Sequence, residues 1–240
     1  MSTIAANLQA IRRRISEALQ GDSREVAVIA VSKQRSPGAI REALAAGCRD
    51  FGESYVQEAV PKIGALGAVP ATWHFIGRLQ TNKARDVAER FDWVHGVDRA
   101  KLAAALAKSR PAALGRLNVC LQVNISGEAT KGGVAANEAL ALARAVAAMP
   151  RLRLRGLMGM ARPTGDAREQ RAQFALLRRA FDELRAAGVE LDTLSMGMSD
   201  DFEAAVAEGA TMVRIGTAIF GARRVSPSPL GEGRGEGAIR

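Results

Sequence analysis

Apolar positions along this chain follow first a helical and then an alternating rhythm. Over residues 3 to 20, Ile4, Leu8, Ile11, Ile15 and Leu19 recur at spacings of three and four, which predicts an amphipathic helix with Arg12, Arg13 and Arg14 turned mostly outward. Short apolar or β-branched runs follow at 26 to 32, 48 to 52, 72 to 76, 91 to 95, 117 to 125, 153 to 158, 192 to 196 and 211 to 215, and these predict eight strands. Alanine-rich helical patterns lie between them, near 37 to 46, 54 to 65, 82 to 90, 98 to 109, 134 to 148, 167 to 187 and 199 to 208, with a last short turn from 217. Strands that alternate with helices call for parallel pairing, because each crossover returns the chain to the same end of the sheet. Eight such units close into a (β/α)8 barrel of the TIM type.

An open, doubly wound sheet is the alternative, and it often carries a glycine-rich first turn. The turn after the first strand reads Ser32-Lys33-Gln34-Arg35-Ser36-Pro37-Gly38, without Gly-x-Gly-x-x-Gly, so the barrel is preferred. A single barrel domain is expected over residues 1 to 224. Residues 225 to 240, rich in serine, proline, glycine and glutamate without apolar periodicity, are expected to be a disordered tail.

Composition narrows the function classes. At 240 residues and 48% hydrophobic content the chain buries a full core. No apolar stretch reaches 18 residues and no secretory leader is evident, so no membrane association and a cytoplasmic location are expected. Cys48 and Cys120 lack a second ligand at metal spacing and read as buried free thiols. His74 and His95 fall on different predicted strands, and no metal is expected. The net charge of +9 is spread along the chain, with 28 arginines against six lysines, and no aromatic and basic platform for stacking bases accompanies it. Nucleic acid is not an expected partner.

In a barrel of this type the working residues sit at the C-terminal ends of the strands. Lys33 ends the first strand, and alternation puts it on the side of Ile29 and Val31, which would fill the layers beneath an inward lysine. Position alone leaves open a solvent-exposed cap. An unprotonated lysine attacks an aldehyde, and desolvation or a neighbouring cation such as Arg214 lowers its pKa. Two segments after strands seven and eight, Ser195-Met196-Gly197-Met198-Ser199-Asp200-Asp201 and Arg214-Ile215-Gly216-Thr217-Ala218, offer backbone N–H groups to a phosphate. Ser199 reads equally as a helix N-cap, with Asp200 and Asp201 complementing the dipole. Lys131, in the loop after strand five, reads as a solvent-exposed side chain on the side where ligands enter. An amine, an arginine and a phosphate turn in one pocket suit an aldehyde phosphate.

Five blocks carry a resemblance: Val31-Ser32-Lys33, Phe51-Gly52-Glu53-Ser54-Tyr55-Val56-Gln57-Glu58, Trp73-His74-Phe75-Ile76-Gly77-Arg78-Leu79-Gln80-Thr81-Asn82-Lys83, and the two phosphate segments, the second running on to Gly221. Together they resemble the pyridoxal phosphate homeostasis protein family, itself similar to the barrel domain of alanine racemase, over residues 5 to 222. The resemblance implies pyridoxal 5′-phosphate in Schiff-base linkage to Lys33, with Ser199, Gly216 and Thr217 on the phosphate and Arg214 at the pyridine nitrogen. Met198, beside Ser199, is counted with the cofactor-binding residues. The family usually has asparagine at Ser54 and serine at Gly132. His74 reads as a packed, hydrogen-bonded barrel residue, and Trp73 and Trp93 as packing residues.

Two functions compete. One is a binding protein in intracellular vitamin B6 homeostasis that buffers the cofactor or passes it to apoenzymes, with amino acids as further ligands. The other is a racemase-type enzyme, which needs a second acid or base on the ring face opposite the lysine. The similar racemases take that tyrosine from a second domain of the partner subunit, whereas the only tyrosine here, Tyr55, follows strand two. A carrier or regulator without turnover, and a monomer, are therefore expected.

Overall fold

The computed structural model describes residues 3 to 128 and 132 to 222. The expected tail over 225 to 240 and the loop lysine Lys131 lie outside the described residues. Eight parallel strands form a closed barrel in sequence order: β1 (Ala27–Val31), β2 (Asp50–Glu53), β3 (Thr72–Phe75), β4 (Trp93–Val97), β5 (Leu117–Gln122), β6 (Leu152–Met158), β7 (Thr193–Ser195) and β8 (Met212–Ile215). Each expected strand is present, displaced by a few residues at most. The helices follow suit: α1 (Ile4–Leu19), α2 (Pro37–Ala45), α3 (Val56–Leu66), α4 (Ala84–Arg90), α5 (Ala100–Ser109), α6 (Ala139–Ala147), α7 (Ala167–Ala186), α8 (Phe202–Ala207) and α9 (Thr217–Phe220).

Local chemistry sets several boundaries. Thr3 caps α1 by accepting the Ala6 N–H at 3.2 Å, and Ser36 caps α2 with Pro37 at its first position. Leu8, Ile11 and Ile15 bury the inner stripe of α1, while the Arg14 guanidinium lies 4.5 Å over the Phe202 ring of α8. α1 thereby packs on α8 and α9, and Asn7 Nδ2 donates to the Ile219 carbonyl of α9 at 2.8 Å.

Strand alternation divides the sheet into two unlike faces. Outward residues such as Ala30, Phe51, Phe75, Val94, Val119, Leu157 and Val213 build one apolar layer with the helices. The inward face is far more polar. Register pairs Ile29 with Asp50 on one side and with Arg214 on the other, and His74 with both Gly52 and Trp93. Trp93 forms a small separate apolar cluster with Cys120 and Met158 inside the barrel. Both cysteines are free and buried, as the sequence indicated.

Candidate functional site

The seam between β1 and β8 brings the two ends of the chemistry together. Ile29 and Ala30 pair with Arg214 and Ile215, and a Cβ added to Gly216 would meet Val31 Cβ at 3.4 Å. β1 ends at Val31, two residues before Lys33, which is half-buried in the turn that follows. Lys33 therefore shares a rim with Gly216 and Thr217.

The lysine turn is clamped from behind by a buried ion cluster. Lys62 Nζ, from α3, donates to the Ser32 carbonyl at 2.9 Å and to Glu53 Oε1 and Glu58 Oε1 at 2.7 Å each. Ser32 Oγ donates to Glu53 Oε1 at 2.6 Å, and the Gln34 N–H donates to Glu58 Oε1. Gln34 itself takes a left-handed φ of 59°, an uncommon conformation for a residue with a side chain. Burial raises the Glu53 pKa above the ordinary carboxylate value, while the hydrogen bonds from Lys62 and Ser32 pull it down. Sequence reading took Lys62 only as a residue of a helical pattern. Its signal was a lysine four residues after Glu58, a spacing that joins two side chains on one helix face.

Arg214 is buried in the barrel mouth. Its Nη1 donates to Ser195 Oγ at 2.8 Å and its Nη2 to the Gly159 carbonyl at 2.9 Å. Burial lowers its pKa to about 10, partly offset by the Asp201 carboxylate. At 5% exposure it is not a surface side chain.

The two segments after β7 and β8 meet. The Arg214 N–H donates to the Gly197 carbonyl at 2.9 Å, and the Ala218 N–H of α9 reaches Ser199 Oγ at 3.4 Å. One correction follows for Ser199. α8 starts at Phe202, so Asp201 occupies the cap position and its Oδ1 accepts the Met198 N–H at 2.6 Å; Ser199 serves the neighbouring loop instead. Gly197 has φ of 91°, and a Cβ there would fall 2.6 Å from Ala205 Cβ, so only glycine lets this loop lie flat on α8. Met198 remains exposed on the same loop.

Other motif residues gather elsewhere on the rim. Ser54, Tyr55, Arg78, Lys83, Arg99 and Gly132 line a cavity of about 830 Å³. Trp73 packs in the outer layer, whereas Trp93 lies inside the barrel, stacked on His74 with ring centroids 5.5 Å apart. His74 is fully buried and hydrogen-bonded on both ring nitrogens, as expected for a barrel residue.

The family model described as "Alanine racemase, N-terminal domain" matches residues 1–224. A pyridoxal phosphate homeostasis protein from Pseudomonas aeruginosa is 56% identical over 226 residues, covering 93% of this chain and 97% of its own length. The protein of that description from Escherichia coli is 51% identical, covering 94% of this chain and 99% of its own length. The chain belongs to the pyridoxal phosphate homeostasis protein family. Its barrel superposes on PipY of Synechococcus elongatus without PLP with a TM-score of 0.82 at 40% identity, over 91% of this chain and all of PipY. PipY with PLP bound superposes on this homeostasis-family barrel with a TM-score of 0.80 at 39% identity. Alanine racemase from Corynebacterium glutamicum, at 19% identity and a TM-score of 0.65, shares the fold.

Proposed function

We propose that this chain holds pyridoxal 5′-phosphate on Lys33 and serves vitamin B6 homeostasis as a carrier or regulator. The observation that carries this reading is the meeting of the Ser199 and Gly216 segments beside Arg214, on the rim that bears Lys33. The donor set fits the group. Among the described residues the Ser199 and Thr217 amides have no hydrogen-bond acceptor, and both lie where the bridged loops form a cradle. The names of the relatives and the PLP-bound PipY support the same cofactor.

When bound, the cofactor supplies an electrophilic aldehyde to amines and a ring that can accept electrons. Lys33 provides the amine, on a turn that Lys62, Glu53 and Glu58 keep in one conformation. Ser199, Gly216 and Thr217 provide phosphate donors, with Met198 exposed on the same loop. Arg214 is a donor only, so it can face a ring nitrogen without taking its proton, and a ring so held is a weak electron sink. That favours holding over turnover. Tyr55, the single tyrosine, lines the cavity shared with Ser54 and Arg78.

Incubation with pyridoxal 5′-phosphate, borohydride reduction and peptide mapping test the reading. A visible absorption band and a reduced adduct on Lys33, both lost in Lys33→Ala, are expected. A colourless protein, or an adduct on another lysine, overturns it. Arg214→Glu is expected to shift the band, and an unchanged spectrum refutes the contact. Exchange of amino-acid α-protons in deuterated water at about 1 per second or faster would establish an enzyme in place of a carrier.

A further inference from the structure

Five side chains from five strands form an unbroken line of hydrogen bonds through the barrel interior. Asp50 Oδ1 on β2 lies 2.9 Å from His74 Nε2 on β3, and His74 Nδ1 lies 2.9 Å from His95 Nε2 on β4. His95 Nδ1 lies 2.8 Å from Ser195 Oγ on β7, which in turn lies 2.8 Å from Arg214 Nη1 on β8. The line starts at the first residue of β2, on the barrel floor, where the Asp50 side chain keeps 31% of its surface exposed. It ends under the mouth, at the guanidinium of Arg214, a residue that is 5% exposed.

The two ends dictate its direction. Arginine only donates and an aspartate carboxylate only accepts, so a line between them runs one way when the histidines are neutral. Ser195 Oγ accepts from Arg214, and among the described residues its own hydrogen has one acceptor, His95 Nδ1. His95 is completely buried, and burial, His74 and Arg214 all depress its pKa far below the ordinary imidazole value. Its hydrogen therefore sits on Nε2 and points at His74 Nδ1. His74 Nδ1 must then be a lone pair, and its own hydrogen sits on Nε2, facing Asp50. Both rings adopt the same tautomer.

We propose that His95 and His74 are positioning residues for Arg214, members of a one-way donor relay that ties the guanidinium in the barrel mouth to the Asp50 carboxylate at its floor. Each donor in the series polarises the next, so the carboxylate strengthens a hydrogen bond it does not touch. With its hydrogen committed to His95, Ser195 presents lone pairs to Arg214, and the Gly159 carbonyl on the far side completes a two-point grip. The functional consequence rests on the reading of Arg214 as a cofactor contact; the relay itself belongs to the protein alone.

The test is nitrogen NMR of the full chain labelled on histidine and arginine, at neutral pH with no added ligand. Both histidines are expected as neutral Nε2–H tautomers, and the two Arg214 Nη groups as resolved signals. In Asp50→Ala, His95 is expected to become a tautomer mixture although Asp50 does not touch it. Rotation about the Arg214 Nε–Cζ bond is expected to quicken roughly three- to tenfold, the factor for weakening one hydrogen bond. Asp50→Glu should restore both. A wild-type His95 protonated on Nδ1, or an Asp50→Ala variant that alters His74 alone, overturns the relay. Lysine adduct mapping can fail while these results stand, and the reverse, so the two readings fail separately.

Discussion

Lys62 Nζ lies 2.7 Å from Glu53 Oε1, and the two side chains are only 6% and 0% exposed. A buried pair of this kind is costly to break, because removing one partner strands the other charge. Lys62→Met is expected to lose about 3–5 kcal/mol at neutral pH. The sign of its pH dependence follows from Glu53, whose folded pKa is already raised by burial. A raised carboxylate contributes stability that is complete below its unfolded value of about 4.5 and is lost as pH climbs through the folded value. Without Lys62 the folded value climbs further. Urea unfolding across pH should therefore show the deficit of Lys62→Met shrinking as the medium is acidified toward the ordinary carboxylate range. A deficit independent of pH would count against the pairing. Glu53→Gln added to Lys62→Met should recover part of the loss.

Gly197 is the second point of sensitivity. Alanine there would have to adopt φ of 91° with its methyl 2.6 Å from Ala205 Cβ. Gly197→Ala is expected to cost about 1–3 kcal/mol, measured by thermal unfolding. Because the loop leads directly to Ser199, retention of pyridoxal 5′-phosphate should fall more than retention of pyridoxal. Equal losses for the two would place the phosphate elsewhere.

The cysteines give a third expectation. Burial pushes the Cys48 thiol to about 11 and the Cys120 thiol to about 12. The thiolate is the reactive form, and at mildly alkaline pH it amounts to about a thousandth or less of each group. A chromogenic disulfide reagent should therefore label neither cysteine in the folded protein and both after denaturation. Raised thiol values also mean stability that is present below the ordinary thiol pKa and declines as pH rises beyond it. Rapid labelling of folded protein would contradict the burial.

The elements were legible because an unbroken apolar run from 26 to 31, or the three- and four-residue spacing of Leu8, Ile11 and Ile15, reports burial directly. The rim placement of Lys33, Ser199, Gly216 and Thr217 was legible for the same reason, since barrel strands run in order and deliver their C-terminal ends to one face. What could not be read were partners chosen by register. His95 and Ser195 stand 100 positions apart, and no local pattern announces that their strands present them at one height. Lys62 was hidden differently: helical spacing placed it on α3, but its burial depends on Glu53 arriving from β2. Ser199 misled as a cap because serine before two aspartates is a common helix start, and the helix begins three residues later.

Closure of the cylinder through β8 and β1 gives the pocket a date of birth. A chain emerging from the ribosome exposes residue 33 long before residues 212 to 215, the strand that pairs with β1. Until residues 212 to 217 dock, the turn that carries Lys33 lacks its β8 neighbour. On the function proposed above, vitamin capture waits for that pairing of the first and last strands.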